Sequence, residues 1–166
     1  MIIVGGEALI LGGGLYSEDQ RPIRESRAVA RTFDFTAYEP RPLPSRFVLT
    51  SSRAGPGPSS LGVSVFYANY DIGDGFADTT QEPGSAPGAA SAAGRCLLPD
   101  AGCRRVRTPK GIRVLIARNR WGVDASAVLG RTLVSVLTVD VGEAAVLAYY
   151  DALEPVTPDD IKFTGA

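Results

Sequence analysis

The sequence predicts an all-β fold, an antiparallel β-sandwich or barrel with one long Gly/Ala/Pro-rich loop. Three observations point that way. Apolar residues recur with period two more often than with period 3.6. No helix-crossover pattern separates the alternating segments, which disfavours parallel βαβ units. The 19 glycines and 12 prolines punctuate the chain too often for a helical bundle. At 166 residues the chain is read as one domain, 1–166.

Taken in order, Met1–Val4 and Glu7–Leu11 are short strand candidates. Arg27–Tyr38 (RAVARTFDFTAY) sets Val29, Phe33, Phe35 and Ala37 on one face and Thr32, Asp34 and Thr36 on the other, so it is read as a strand. Glu39–Ser45 carries Pro40, Pro42 and Pro44 and is expected to be an extended connection. Phe47–Ser51 is a further short strand, and Arg53–Ser60 (RAGPGPSS) reads as a turn cluster. Leu61–Tyr70 alternates again. Asp71–Arg95 is rich in small residues and reads as a long loop or arm, expected to order from Thr79 to Ala93 only against a neighbour.

Gly111–Arg118 places Ile112, Val114 and Ile116 inward and Arg113 outward. Thr132–Val141 (TLVSVLTVDV) is rich in β-branched residues and nearly apolar on both faces, as a central strand covered on two sides would be. Gly142–Leu153 (GEAAVLAYYDAL) carries helix formers and an early Glu143. The strand reading is nevertheless favoured, with Gly142–Glu143 as a two-residue hairpin link. Residues 154–166 read as a carboxyl-terminal tail.

Composition narrows the chemistry. The chain has no histidine, so Ser–His–Asp and Cys–His nucleophilic systems and His-rich zinc sites are excluded. Two cysteines cannot make a four-ligand metal site. Cys96 and Cys103 enclose Pro99-Asp100-Ala101-Gly102, a plausible turn, and stand either as a disulfide at the neck of a hairpin or as two reduced thiols. Asn69, Asp71, Asp74 and Asp78 offer oxygens to calcium, but their spacing is not that of an EF-hand and a plain loop is favoured. No cofactor or metal is expected.

The amino terminus, MIIVGGEALI, resembles the first strand of ribokinase-like sugar kinases, in which an apolar strand ends in Gly followed by an acidic residue. The resemblance stops there. Asp78-Thr79-Thr80 continues as Gln-Glu-Pro rather than as that family's DTxGAGD motif, and the alternating helices are missing. Gly12-Gly13-Gly14 likewise lacks the GxxxxGK[ST] pattern of a phosphate loop.

Charge is segregated along the chain. Between Arg104 and Arg120 lie seven cations (Arg104, Arg105, Arg107, Lys110, Arg113, Arg118 and Arg120) and no acid. From Thr132 onward six acids face one lysine, a net of −5, and Asp151, Glu154, Asp159 and Asp160 close the chain. Opposite patches on one chain favour head-to-tail contacts between copies. The expected function is therefore structural assembly, as a capsid decoration, cement or tail subunit of a virus particle. The expected partners are other copies of itself and a major capsid or tail protein.

Nucleic acid is a weaker expectation, because the net charge is −1 and aromatic residues are not interleaved with the arginines. The alternatives are a carbohydrate- or protein-binding module using Trp121, and a histidine-free hydrolase or isomerase using carboxylates. No apolar run reaches the roughly 18 residues of a membrane span, and no signal peptide is legible. The expected location is a virion, or the cytoplasm before assembly.

Overall fold

A computed structural model describes residues 21–57, 63–84, 102–118 and 120–164. Among these, strands dominate. Seven form one antiparallel sheet: β2 (Phe47–Pro56), β3 (Ser64–Ile72), β4 (Gly75–Pro83), β5 (Cys103–Arg107), β6 (Arg113–Arg118), β7 (Val123–Leu129) and β8 (Thr132–Val139). Their spatial order is β2-β3-β4-β8-β7-β6-β5. Two meanders, β2–β4 and β5–β8, are thus joined where β4 pairs with β8, from Phe76↔Val139 to Pro83↔Thr132. The sheet stays open, with β2 and β5 at its two edges, which removes the barrel alternative. β1 (Ala37–Pro40) and β9 (Leu153–Val156) make a second, two-stranded antiparallel sheet. Two helices, α1 (Arg21–Ala30) and α2 (Glu143–Ala152), complete the described elements.

The hairpins follow from their turn residues. Ile72↔Gly75 and Leu129↔Thr132 are each closed by two residues, Gly73-Asp74 and Gly130-Arg131. Gly73 and Gly130 take φ of +65° and +59°, the left-handed region that two-residue hairpins require and that glycine enters without a Cβ clash. β6 and β8 match expectation: Val114 and Ile116 are buried, Arg113 is exposed, and β8 sits at the sheet centre.

Four readings are corrected. Gly142–Leu153 is not the return arm of a hairpin. β8 already has β4 on one side and β7 on the other, so no free edge remains for a returning strand. The chain leaves the sheet through Asp140 (φ +55°) and continues as α2, whose buried residues Val146, Tyr149 and Tyr150 follow helical spacing. Arg27–Tyr38 is also not a strand. Ile23, Ser26 and Ala30 lie along one helical face of α1, a spacing hidden when the window starts at Arg27, and only Ala37 and Tyr38 reach β1.

Arg53–Pro56 is not a turn but the end of β2, where Pro56 is tolerated because β2 is an edge strand. The long loop does not begin at Asp71. Residues 71–83 complete β3 and form β4, and Thr79–Pro83 pair with β3 and β8 of the same chain rather than awaiting a neighbour. Residues 85–101, like the strand candidates in 1–20, lie outside the described residues.

One face of the large sheet holds the core. Phe47, Phe66, Ala68, Tyr70, Ala77, Val114, Ile116, Ala125, Ala127, Val134 and Val136 meet the helices and the small sheet there. Tyr149 stacks on Phe47 and meets Tyr70 edge-on, with ring centroids 6.1 and 5.6 Å away. Tyr150 donates its hydroxyl to the Val134 carbonyl at 3.0 Å. Polar clamps fix the small sheet in place. The Tyr38 N–H donates to Gln81 Oε1 at 2.8 Å, and Gln81 Nε2 donates to the Tyr38 carbonyl at 2.6 Å.

Residues after Val156 are docked rather than trailing. Ile161 and Phe163 are buried, and the Ser52 N–H donates to Thr164 Oγ1 at 2.9 Å. Ile161→Ala should therefore lower unfolding free energy by about 2–5 kcal/mol, read as a fall in the urea midpoint at unchanged slope. A neutral result would mean that this segment does not contribute to the core.

Candidate functional site

Period-two geometry divides the basic stretch between the two faces of the sheet. In β5, Arg104 and Val106 face the core, whereas Arg105 and Arg107 point to the other side. In β6, Val114, Ile116 and Arg118 share the core face and Arg113 the outer one. Lys110 lies in the β5–β6 turn, held by Gly111 N–H donating to the Thr108 carbonyl at 2.8 Å. Arg120 lies before β7 and stacks its guanidinium 4.4 Å from the centre of the Trp121 ring.

On the core side, the basic and acidic segments meet within the same chain. Arg104 donates Nη2 to both carboxylate oxygens of Glu143, and Arg118 Nη2 reaches Glu143 Oε2 at 3.2 Å. Glu143 opens α2, where a carboxylate also suits the helix N-terminus. The Arg104 hydrogen bond, then that of Arg118 and the charge of both guanidinia, hold its carboxyl below the usual range against opposing desolvation. Near the other end of α2, Asp151 Oδ1 accepts the Lys110 N–H at 2.9 Å. The Thr108 hydroxyl and then Lys110 draw the Asp151 carboxyl below its ordinary range. Arg31 grips Asp159 through Nε at 3.1 Å and Nη2 at 2.7 Å. Asp160 Oδ2 accepts the Thr157 hydroxyl at 2.6 Å. Glu154 is exposed on β9.

The outer face is different. Arg105, Arg107 and Arg113 are exposed and form no ion pair with another described residue. Arg105, Arg113, Leu115, Ser126 and Val128 line an open groove of about 330 Å³ across β5, β6 and β7. Farther across the same face Phe76 and Leu137 are 43% and 49% exposed. Trp121 is 58% exposed. Cys103, at the start of β5, is disulfide-bonded; the chain's other cysteine, Cys96, lies outside the described residues.

Glu39 is buried, but Oε1 accepts the Lys162 N–H at 2.7 Å and Oε2 accepts Arg41 Nη2 at 3.1 Å. It borders a smaller cavity of about 170 Å³ with Pro42, Leu43, Leu49 and Tyr70. Burial pushes Tyr149 up to about 12 and raises Tyr70 and Tyr150 well above the ordinary phenol value, so these hydroxyls stay protonated at neutral pH. Desolvation raises the Glu82 carboxyl, yet Glu82 lines neither cavity. Asn69 and Asp78 face each other across β3 and β4 and hydrogen-bond, with Asp74 at the hairpin tip. Among the described residues no three His, Cys, Asp or Glu side chains gather as a metal site. None of the described helices is long and apolar enough to cross a membrane.

Comparison of the chain with protein-family models, curated proteins and solved structures yields no match.

The sequence grouped Arg104 with Arg105 and Arg107, while the structure separates them. The signal was available, since consecutive residues of a strand point to opposite faces. The partner of Arg104 was not, because it depends on where α2 lies. Glu143→Gln should expose that pairing. A carboxyl whose folded pKa is depressed contributes stability that is fully present above its unfolded value and is lost as pH falls through the folded one. The variant should be less stable at neutral pH and show a shallower loss of thermal midpoint on acidification below about pH 4.3. Parallel acid limbs for both proteins would remove the Glu143 contribution.

Proposed function

We propose that this chain works by contact with another macromolecule, without chemistry of its own, as an assembly or docking subunit. One observation carries the reading. Unlike charges cancel within the chain on the helix side of the sheet, while Arg105, Arg107 and Arg113 stand on the opposite face beside an open groove. Its narrower form is a decoration, cement or tail subunit of a virus particle, with a shell or tail protein supplying the facing surface and the virion as its location. Head-to-tail mating of copies is less favoured, since Glu143, Asp151 and Asp159 already have partners in their own chain.

Carbohydrate binding is the second reading, supported by Trp121. Trp121 is 58% exposed beside the Arg120 guanidinium, and an exposed aromatic surface of this kind is what a sugar would stack on.

Charge reversal at Arg105, Arg107 and Arg113 tests the first reading, with Arg104 left intact because it holds α2. The wild type should bind poly-L-glutamate at low salt, weaken as salt screens the patch, and lose about tenfold or more on reversal, at unchanged thermal midpoint. Equal binding by wild type and variant would remove this surface from the account. Native mass, measured alongside, separates a self-assembling subunit from one whose partner is a different protein.

A further inference from the structure

The two edges of the large sheet are not equivalent. At the β2 edge, Ser52 is met by the carboxyl-terminal segment: its N–H donates to Thr164 Oγ1, and its hydroxyl donates to the Lys162 carbonyl at 2.5 Å. At the other edge, β5 pairs among the described residues with β6 alone. The direction of its main-chain groups follows from the turn. The Thr108 N–H donates to the Ile112 carbonyl at 2.9 Å, so Thr108 and Ile112 form a hydrogen-bonded pair. Hydrogen-bonded and non-hydrogen-bonded pairs alternate along an antiparallel ladder. Val106 and Arg104 therefore bond to β6, and the N–H and C=O groups of Arg105 and Arg107 point away from the sheet.

We propose that the β5 edge is a strand-addition site for an extended acidic segment of another protein, a deepening that rests on the docking function above. An added antiparallel strand would take four main-chain hydrogen bonds from Arg105 and Arg107. Residues directly opposite on paired strands share a face, so its side chains facing Arg105 and Arg107 would lie on the outer surface. Arg113, opposite Arg107 on β6, adds a third cation to the same patch. The residue between them would turn to the helix side beside half-buried Val106, which packs on the core. The segment recognised is thus acidic–apolar–acidic in an extended conformation.

The same arithmetic disfavours a second copy of β5. A two-fold pairing of Cys103–Arg107 with itself would set arginine against arginine, and like charges directly opposite destabilise a ladder. The arginines thus protect this edge against self-pairing while leaving it open to carboxylates.

The test uses the full chain and labelled peptides. Glu-Val-Glu-Val-Glu should bind at low salt, and Lys-Val-Lys-Val-Lys should not. Arg105→Gln with Arg107→Gln should weaken binding about tenfold or more. A Glu-Val-Glu-Val-Glu peptide N-methylated at alternate residues keeps its charge but cannot complete the ladder, and should lose at least as much. Backbone amide shifts on titration should centre on Arg105 and Arg107. Tolerance of N-methylation would overturn strand addition while leaving charge-based docking in place. No binding of the acidic peptide up to roughly 1 mM, together with none to poly-L-glutamate, would overturn both readings. Tighter binding of single-stranded oligo-dT than of the acidic peptide would overturn the partner assigned here, as would a β5-dependent dimer in the native mass.

Discussion

The double pairing of β8 is the constraint from which the rest of the architecture follows. With β4 on one side and β7 on the other, β8 offers no edge, and the chain that emerges from Val139 has to leave the plane of the sheet. It does so as α2, which lies on the core face with Val146, Tyr149 and Tyr150 inward. Burial of two tyrosines is favourable in area, and the Tyr150 hydroxyl keeps a hydrogen bond by donating to the Val134 carbonyl. The same placement brings Glu143 to Arg104 and Arg118 and Asp151 to the β5–β6 turn.

Charge distribution is thereby decided by packing. An acidic segment and a basic segment in one chain attract each other, and whether they meet within a molecule or between molecules depends on reach. α2 is short and covalently bound to the central strand, so Glu143 finds Arg104 and Arg118, and Asp151 the β5–β6 turn, at high effective concentration. Exposed ion pairs of this kind contribute little to stability one by one, but they decide which cations remain for a partner. Arg105, Arg107 and Arg113 are among those that remain, because strand alternation places them on the face away from α2.

Much of the fold was legible locally. Turn glycines at 73, 111 and 130 and period-two alternation in Gly111–Arg118 mark hairpins without reference to anything distant. The reading of Gly142–Leu153 failed because Val146, Tyr149 and Tyr150 suit a strand as well as a helix. Thr132–Val141, nearly apolar on both faces, reads as a central strand, but nothing local names the two strands that flank it. Two local readings were in conflict, and only the sheet order decides between them. The β4 strand escaped notice for another reason. Its alternation is carried by Ala77, Thr79 and Gln81, polar or small residues buried through hydrogen bonds such as Thr79 Oγ1 to the Ala68 carbonyl at 2.9 Å, rather than by large apolar ones.

The amino-acid sequence by itself determined the β class, the hairpin turns, the exclusion of histidine chemistry and the existence of a basic and an acidic segment. These rest on residue type and nearest-neighbour geometry. Tertiary structure alone decided which arginines are neutralised, which sheet edge is covered and which, among the described residues, has no second strand beside it. Those outcomes depend on pairing between segments far apart in the chain, such as β4 with β8 and Ser52 with Thr164, and no local pattern encodes the partner.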